Sequence, residues 1–259
     1  LSDPAIRDEE SYGACGNLAV NLQVLMPGER ARPHRHTMHA LRFVLEGQGV
    51  TTVVEGKRCA MNPGDMVLTP GWTWHEHVHE GAGRSIWVDA LDVPIHRYLK
   101  NGVFEPGPAH DVATLPSDAA FSAAGFAPAS TTATPYSPMV RYPWEDALRA
   151  LEAITPPAGG SRRLRYTNPT TGGPVMSTID CYLVALSPAR DAPEDGRTVE
   201  VRRQDEARVL RQPGQPAVAR SGHRPAHAVE AGQGELAAVE VQVHLRLGAK
   251  GPVLCRKPR

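Results

Sequence analysis

Short apolar runs alternate with turn residues from Asn17 to Val93, a pattern that is typical of β-strands. Turns are indicated by Pro27-Gly28, Glu55-Gly56, Pro63-Gly64 and Pro70-Gly71, which supply the backbone conformations that tight turns need. The strands predicted between such turns are Leu18–Met26, Leu41–Leu45, Gly49–Val54, Met66–Thr69, Trp74–Val78 and Ser85–Ala90. Short strands at this spacing predict an all-β barrel or sandwich.

The pattern changes after this region. Residues 101–140 are rich in Ala, Pro, Ser and Thr, which is typical of a linker. Trp144, Leu148 and Leu151 then recur at helical spacing. This predicts a helix with Pro143 in its first turn and Pro156-Pro157 beyond its end.

One short stretch of the sequence is repeated. Leu22–Glu29 and Leu183–Arg190 both close an apolar strand with a proline turn. Repetition of a structural unit predicts a duplicated barrel, and we expect the second copy to begin near Thr167.

The carboxyl-terminal part of the chain has an unusual composition. All 14 aromatic residues (4 Trp, 6 Tyr and 4 Phe) lie at or before Tyr182. A segment with so few large apolar groups has little burial to offset its ordering entropy. We therefore divide the chain into a first barrel at 1–98, a linker at 99–141, a helix and the start of a second barrel at 142–187, and an atypical, poorly ordered tail at 188–259.

Charge and cysteine content exclude several classes of protein. The 259 residues include 28 Lys+Arg and 28 Asp+Glu, and this balance argues against nucleic acid or an anionic membrane as a partner. No apolar run reaches the roughly 20 residues needed to span a bilayer. The 4 cysteines form no CxxC pair, and there is no signal-peptide pattern, so we expect reduced thiols in a cytoplasmic protein.

Candidate chemistry is concentrated in the histidines of the first barrel. His34 and His36 are two residues apart, so on a strand they point to the same face. His75, on another predicted strand, would complete a metal site with three nitrogen ligands. If the first strand continues, Arg42 shares this face, and on the second strand so does His77. An interior lined with imidazoles and a guanidinium is costly unless a metal and an anion compensate it.

The turns around these histidines add a family resemblance. The segments Gly28–Gly47 and Gly64–His79 resemble the two motifs of cupins, which are jelly-roll-like barrels also described as double-stranded β-helices. The acidic ligand that the first cupin motif carries four residues after His36 is replaced here by Ala40. The resemblance therefore implies three histidine ligands and no carboxylate.

The resemblance extends to one group of cupins that contain two barrels. The segments Arg32–Thr37, Ala40–Gly47, Leu68–His77 and Trp87–Pro94 resemble the gentisate 1,2-dioxygenase family, whose relatives cleave salicylate and 1-hydroxy-2-naphthoate. A looser resemblance, from Trp144 through Tyr166–Pro174 to Leu186, matches the beginning of the family's second cupin. The fold class implied is an all-β cupin, here an incomplete or degenerate bicupin.

Residue by residue, the resemblance implies an iron enzyme. His34, His36 and His75 would hold Fe(II), Arg42 would pair with the substrate carboxylate, and His77 would lie near the substrate oxygens. Further pocket positions are Gln23 and Asp89. The implied reaction is extradiol-type: both atoms of O₂ enter between the carboxyl-bearing and hydroxyl-bearing carbons of a 2-hydroxybenzoate, and gentisate gives maleylpyruvate. Expected partners are a small aromatic hydroxy acid, O₂ and further copies of the chain in a homo-oligomer.

Other interpretations remain open on the residues alone. The same ligands suit a non-redox metallocupin, such as a zinc or manganese isomerase or hydrolase. A truncated bicupin that binds metal or ligand without turnover would explain the atypical tail and Asn21, which stands where the relatives carry a small residue. Arg42 could belong to a buried structural ion pair, Trp72 and Trp74 to the core, and His39, on the opposite parity, to the exposed surface.

Overall fold

The structure is a computed structural model that describes residues 14, 16–107, 116–123, 125–156 and 161–186, together with two further strands at 199–203 and 238–245. Parts of the predicted first barrel and linker, and most of the predicted tail, lie outside these residues. The poor order expected of the tail therefore stays a prediction.

Strands dominate the described residues. They are β1 (Ala19–Leu25), β2 (Arg30–His36), β3 (Ala40–Glu46), β4 (Val50–Val54), β5 (Lys57–Met61), β6 (Met66–Thr69), β7 (His75–His79), β8 (Ser85–Leu91), β9 (Phe104–Pro106), β10 (Arg141–Tyr142), β11 (Arg162–Tyr166), β12 (Ile179–Leu186), β13 (Val199–Arg203) and β14 (Ala238–Leu245). The helices are α1 (Val93–Tyr98) and α2 (Trp144–Glu152), with a short 3₁₀ helix at Asp118–Phe121. No helix in the described part of the chain has the length and apolarity that crossing a membrane would require.

Two five-stranded antiparallel sheets form the first barrel. One has the order β1-β8-β3-β6-β10 and the other the order β5-β4-β7-β2-β9. The β4–β5 hairpin turns at Glu55 and Gly56, whose φ angles of 48° and 77° are both positive, as a two-residue turn between twisted strands requires. The predicted all-β barrel and its predicted strands are confirmed.

Alternation along β3 gives the barrel an inner and an outer core. Val44 contacts an inner cluster that takes Val67 and Trp87 from its own sheet and Val50 and Met61 from the facing sheet. Leu41 and Phe43 point the other way, into a larger outer cluster. The barrel sheet is therefore buried on both faces, unlike a sheet with one face in water.

The second half of the chain covers the outer face of this sheet. Leu151 of α2, Tyr166 of β11, and Ile179 and Leu183 of β12 are buried in the same outer cluster as Phe43. A third sheet has the order β11-β12-β14-β13 and begins at Arg162, before the expected Thr167. Strand β14, which falls in the predicted tail, pairs with β12 along the full length of that strand.

The predicted linker packs against the barrel through Asp118. This carboxylate accepts hydrogen bonds from Lys57 Nζ (2.8 Å) and from the backbone N–H groups of Val140 and Arg141 (both 3.0 Å).

Two cysteines of the described residues are buried free thiols. Cys59 lies beside Asp118, and Cys181 lies in the outer core. Burial raises the pKa of Cys59 to about 12 and holds that of Cys181 well above its usual value.

Asp65 joins the barrel to the second half. Its carboxylate is buried and accepts hydrogen bonds from the N–H groups of Asn62 and Trp144 and from Arg141 Nε, which is 2.7 Å away. The bond to Trp144 satisfies one of the free N–H groups in the first turn of α2. We expect Asp65→Ala to lower the free energy of unfolding by about 2–4 kcal/mol, because buried donors lose their acceptor.

Denaturation in urea would measure this loss. The matched control is Asp146→Ala, which removes an exposed ion pair with Arg149 within helix α2. It should lower the free energy of unfolding by less than about 1 kcal/mol. Equal losses for the two variants would contradict the role given to Asp65.

Candidate metal centre

Three histidines from two neighbouring strands converge inside the barrel. His34 of β2 stands directly opposite His75 of β7, and their ring centroids are 4.2 Å apart. The ring of His36 lies 4.8 Å from that of His75 and 5.7 Å from that of His34. One ligand-capable nitrogen from each of the three rings lies within 4.8 Å of the others.

Backbone carbonyls fix the proton on each ring. Nδ1 of His34 is 2.7 Å from the carbonyl oxygen of Arg32, Nδ1 of His36 is 2.9 Å from that of Met38, and Nδ1 of His75 is 2.9 Å from that of Thr73. A carbonyl can only accept, so Nδ1 donates and Nε2 keeps a free lone pair. These are the same hydrogen bonds that orient metal-binding histidines in general.

The two buried rings are neutral at physiological pH. Burial lowers the pKa of His36 to about 4 and that of His75 to about 2, with a further lowering from the positive charge of Arg42. Neutral imidazole is the form that binds a metal. Nε2 of His75 is buried without a hydrogen-bond partner in the described residues, a costly arrangement that a bound metal ion would relieve. The residues present therefore fit a metal held by three nitrogens.

Arg42 reaches the same interior by a route that the sequence did not predict. The strand that carries His34 and His36 ends at His36, and the chain crosses at Thr37–His39 to the opposite sheet. The condition under which the sequence placed Arg42 on this face, a strand that continues beyond His36, is therefore not met. Arg42 still faces the histidines, because its register partner Asp89 lies on the same inner face as Val44 and Trp87.

Arg42 and Asp89 form a buried ion pair. Nε of Arg42 is 3.1 Å from Oδ1 of Asp89, and the two side chains are 4% and 2% exposed. Nη1 of Arg42 donates to Thr69 Oγ1. Burial raises the pKa of the Asp89 carboxyl, and the adjacent guanidinium opposes this rise. The alternative interpretation, that Arg42 belongs to a buried ion pair, is therefore observed. The pair lies close enough to the histidine cluster for Arg42 to lower the pKa values of His36 and His75.

His77 is the next inward residue after His75 on β7. Its Nδ1 lies 2.8 Å from Thr52 Oγ1, and its ring centroid is 5.5 Å from that of Trp87. The side chain is fully buried, and burial holds its pKa well below the usual value. Thr52 had no signal in the sequence, because a threonine on a β-strand is ordinary there whether or not it contacts a site.

The remaining candidate positions on β1 are exposed, and a further histidine on β7 is separate from the cluster. Gln23 lies on strand β1 in register with Trp87, and its side chain is exposed. Asn21 is in register with Asp89 and is exposed as well. His79 is buried but is bonded to the turn after β7, at Gly81 and Gly83, so it does not join the cluster.

His39 is not the exposed residue that its parity predicted. Nδ1 accepts a hydrogen bond from the N–H group of Gly71, and Nε2 is 2.8 Å from Ser177 Oγ. Its backbone N–H donates to the buried carboxylate of Asp92, which also accepts from Thr178. The turn after the ligand strand is therefore tied to the second half of the chain.

Comparison with known proteins agrees with this geometry. Residues 21–91 match the family model described as a cupin domain. This part of the chain is a cupin domain. A salicylate 1,2-dioxygenase from Pseudaminobacter salicylatoxidans superposes on the chain with a TM-score of 0.66 at 34% identity, over 78% of this chain and 58% of that one.

The relatives that this chain matches are named as 1,2-dioxygenases. A gentisate 1,2-dioxygenase of a Ralstonia species is 34% identical over 70% of this chain and 52% of its own length. A 5-aminosalicylate 1,2-dioxygenase of a Comamonas species is 36% identical over 70% and 50%. The chain is thus homologous to 1,2-dioxygenases of gentisate and related compounds, and it spans about half the length of the relatives it matches.

The histidine pKa values predict how stability depends on pH. Because the pKa of His36 falls from 6.5 to about 4 in the folded protein, the unfolded chain binds more protons between these values. Stability is then lost as pH falls below about 6.5, by up to about 1.4 kcal/mol per pH unit for each such histidine.

The measurement is the free energy of unfolding of chelator-treated protein from pH 7 to pH 4. His36→Asn removes one titrating group, so the variant should lose less stability over this interval than the wild type. Parallel curves for the two proteins would contradict the assignment of His36 as a neutral buried ring.

Proposed function

We propose that this chain is the metal-bearing part of an Fe(II)-dependent, ring-cleaving dioxygenase that acts on gentisate or a related 2-hydroxybenzoate. The observation that carries the proposal is a set of three imidazoles with free Nε2 atoms, with no carboxylate among them and a buried guanidinium beside them. The homologous salicylate 1,2-dioxygenase has been crystallised as an adduct with gentisate, which supports this substrate class.

His34, His36 and His75 are the residues that would hold the iron. When bound by three neutral nitrogen ligands, Fe(II) would supply open coordination positions for the substrate oxygens and O₂, and the redox chemistry that O₂ requires. Ala40, in the position where other cupins carry an acidic ligand, leaves the donor set neutral and sterically open on that side.

Arg42 is the residue that we propose to bind the substrate carboxylate. Its guanidinium is held on one side by Asp89 and on another by Thr69, so the remaining N–H groups point in fixed directions. A planar guanidinium that donates two parallel hydrogen bonds matches a carboxylate in shape and charge. Asp89 then orients Arg42 and partly neutralises it, so that it binds its anion without a full buried charge.

His77 is the proposed partner of the substrate hydroxyl. Thr52 Oγ1 donates its proton to Met61 Sδ and therefore accepts a hydrogen bond from Nδ1 of His77, which leaves Nε2 as the nitrogen that can accept a proton or a hydrogen bond. Gln23 would contact the substrate from strand β1, where its side chain is exposed.

The proposed cleavage is extradiol-type, because the bond that breaks joins the carboxyl-bearing carbon to its hydroxyl-bearing neighbour. Both oxygen atoms of O₂ enter the product, and with gentisate the product is maleylpyruvate. Holding the ring by its carboxylate at Arg42 and its hydroxyl at His77 would keep this bond near the metal, which lowers the entropic part of the barrier.

A truncated cupin that binds metal or ligand without turnover is the second candidate. It is favoured by the exposure of Asn21 and Gln23 on strand β1, because these positions lie on the inner face of the sheet and yet remain open to water. Water in the pocket would loosen the substrate geometry that ring cleavage needs.

We further propose a cytoplasmic location and a homo-oligomeric state. The two buried free thiols, Cys59 and Cys181, are compatible with a reducing compartment. Self-association is supported by the exposed apolar side chains of Leu22 and Val24 on strand β1, at the edge of its sheet within the described residues. Light scattering on the purified protein would measure the mass.

Oxygen uptake separates the two candidate functions. The protein is loaded anaerobically with Fe(II), and gentisate, salicylate or 1-hydroxy-2-naphthoate is then added with O₂. We expect uptake with at least one of them, and we expect His75→Ala to abolish it because a ligand is lost. Stoichiometric iron without uptake for any substrate would exclude the dioxygenase and leave the non-catalytic cupin.

Arg42→Lys tests the carboxylate site. Lysine keeps the charge but loses the planar fork, so kcat/KM should fall about 10- to 100-fold, mainly through a higher KM. The control is Arg84→Lys, which alters a surface pair with Glu46 and should leave the kinetics unchanged. An unchanged KM in Arg42→Lys would contradict the proposed contact.

A further inference from the structure

The ligand strand β2 has an interrupted hydrogen-bond ladder. Its pairing with β7 includes Ala31 opposite His77, shifts register, and resumes only at His34 opposite His75. Pro33 lies inside the interruption and has no N–H group to donate. Backbone bonds to β7 therefore do little to hold the strand immediately before the first ligand.

Arg35, between the two ligands of β2, points to the opposite side of the strand, where its guanidinium contacts the faces of two indoles. Its guanidinium carbon lies 4.2 Å from the ring centroid of Trp72 and 4.8 Å from that of Trp74. Both tryptophans belong to the segment that leads directly into His75. Arg35 therefore joins the strand that carries two ligands to the segment that carries the third.

Two further contacts close this arrangement, which we name the Arg35 clamp and define as Arg35, Trp72, Trp74 and Glu105. Glu105 of β9 stands opposite Arg35 in register, and its Oε2 is 2.7 Å from Nη2 of Arg35. The backbone N–H of Trp72 donates to the carbonyl of His36 over 2.6 Å. Trp72 adopts a left-handed backbone conformation, with φ of 66°, to make this approach.

Trp72 contradicts the expectation that it is a core residue, because it is 42% exposed. A large exposed indole with a strained backbone has no packing reason to be there. Its position is explained by the guanidinium that it covers, since a cation over an indole face is stabilised by the ring quadrupole.

Strand β9 supports the ligand strand from the inner side as well. Phe104 precedes Glu105 and therefore points to the other face, where its ring is stacked on that of His34 at a centroid distance of 5.1 Å and an angle of 25°. The ligand strand is thus held on both faces by consecutive residues of a segment whose composition predicted a linker.

We propose that Arg35 is a positioning residue for the metal centre: through its stack on Trp72 and Trp74 it sets the distance between the ligand pair His34/His36 and His75. Because the Arg35 side chain is directed to Trp72, Trp74 and Glu105, this role requires no contact with the metal or the substrate. This inference rests on the metal site of the proposed function, but not on its activity.

Cobalt(II) binding to the full chain tests the clamp without turnover. The probe is the affinity for Co²⁺ and the visible d–d absorption of the complex, which reports ligand geometry. We expect Arg35→Gln to weaken binding about 10-fold or more and to change the d–d spectrum, as loss of residues that orient metal ligands does. Arg35→Lys keeps the charge without the planar stack and should restore only part of the affinity.

Two controls separate positioning from general stability. Arg84→Gln breaks a surface ion pair of similar length, between Nε and Glu46 Oε1 at 2.9 Å, and should leave both affinity and spectrum unchanged. Glu105→Gln removes the ion pair of the clamp but leaves the stack, so its affinity should lie between those of the wild type and Arg35→Gln. This variant also keeps the test available if Arg35→Gln does not fold.

Each outcome decides a different point. Wild-type affinity and spectrum in Arg35→Gln, or in Glu105→Gln and Arg35→Lys if Arg35→Gln does not fold, would overturn the clamp while leaving the metal site intact. Absence of Co²⁺ binding by the wild type itself would overturn the metal site and the clamp with it. Weaker binding in the Arg35 variants together with an unchanged Arg84→Gln would support the positioning role.

Discussion

Three hydrogen bonds from imidazole Nδ1 atoms to backbone carbonyls determine what the interior of this barrel can do. They hold His34, His36 and His75 in one tautomer and aim three lone pairs at one place. The carbonyls belong to Arg32, at the register shift of β2, and to Met38 and Thr73, which lie outside the strands, so none of them is part of a regular ladder. The irregular backbone around β2 and β7 is therefore the means by which the rings are oriented, and the surrounding contacts serve to keep it in place.

The buried charge of Arg42 depends on this arrangement and also shapes it. The guanidinium favours the neutral forms of His36, His75 and His77, and Asp89 keeps the guanidinium itself from being an uncompensated charge. The pair spans β3 and β8, whose outer faces carry the core that is shared with α2, β11 and β12. The second half of the chain thus stabilises the strands on which the interior charges are mounted.

Local periodicity in the sequence predicted most of the barrel and most of the candidate site. A spacing of two on a strand was enough to place His34 and His36 on one face, and the turn residues located most barrel strands. Sequence reasoning failed where the outcome depends on long-range pairing. Strand β9 lies in the segment predicted to be a linker, and it exists because β2 offers it an edge. The sequence placed Arg42 on the face of the histidines only if one strand carried all of them. The turn at Thr37–His39 interrupts that strand, and Arg42 faces the histidines from the opposite sheet instead.

The two buried cysteines have a consequence for the chemical durability of the protein. Sulfur is oxidised by peroxide as the thiolate, and the raised pKa values of Cys59 and Cys181 leave almost none of that form at neutral pH. A centre that activates O₂ exposes its own polypeptide to partly reduced oxygen whenever a cycle miscarries. Because both thiols stay protonated and screened from water, the protein can carry them without making them targets of the oxidants that the proposed O₂ chemistry would generate.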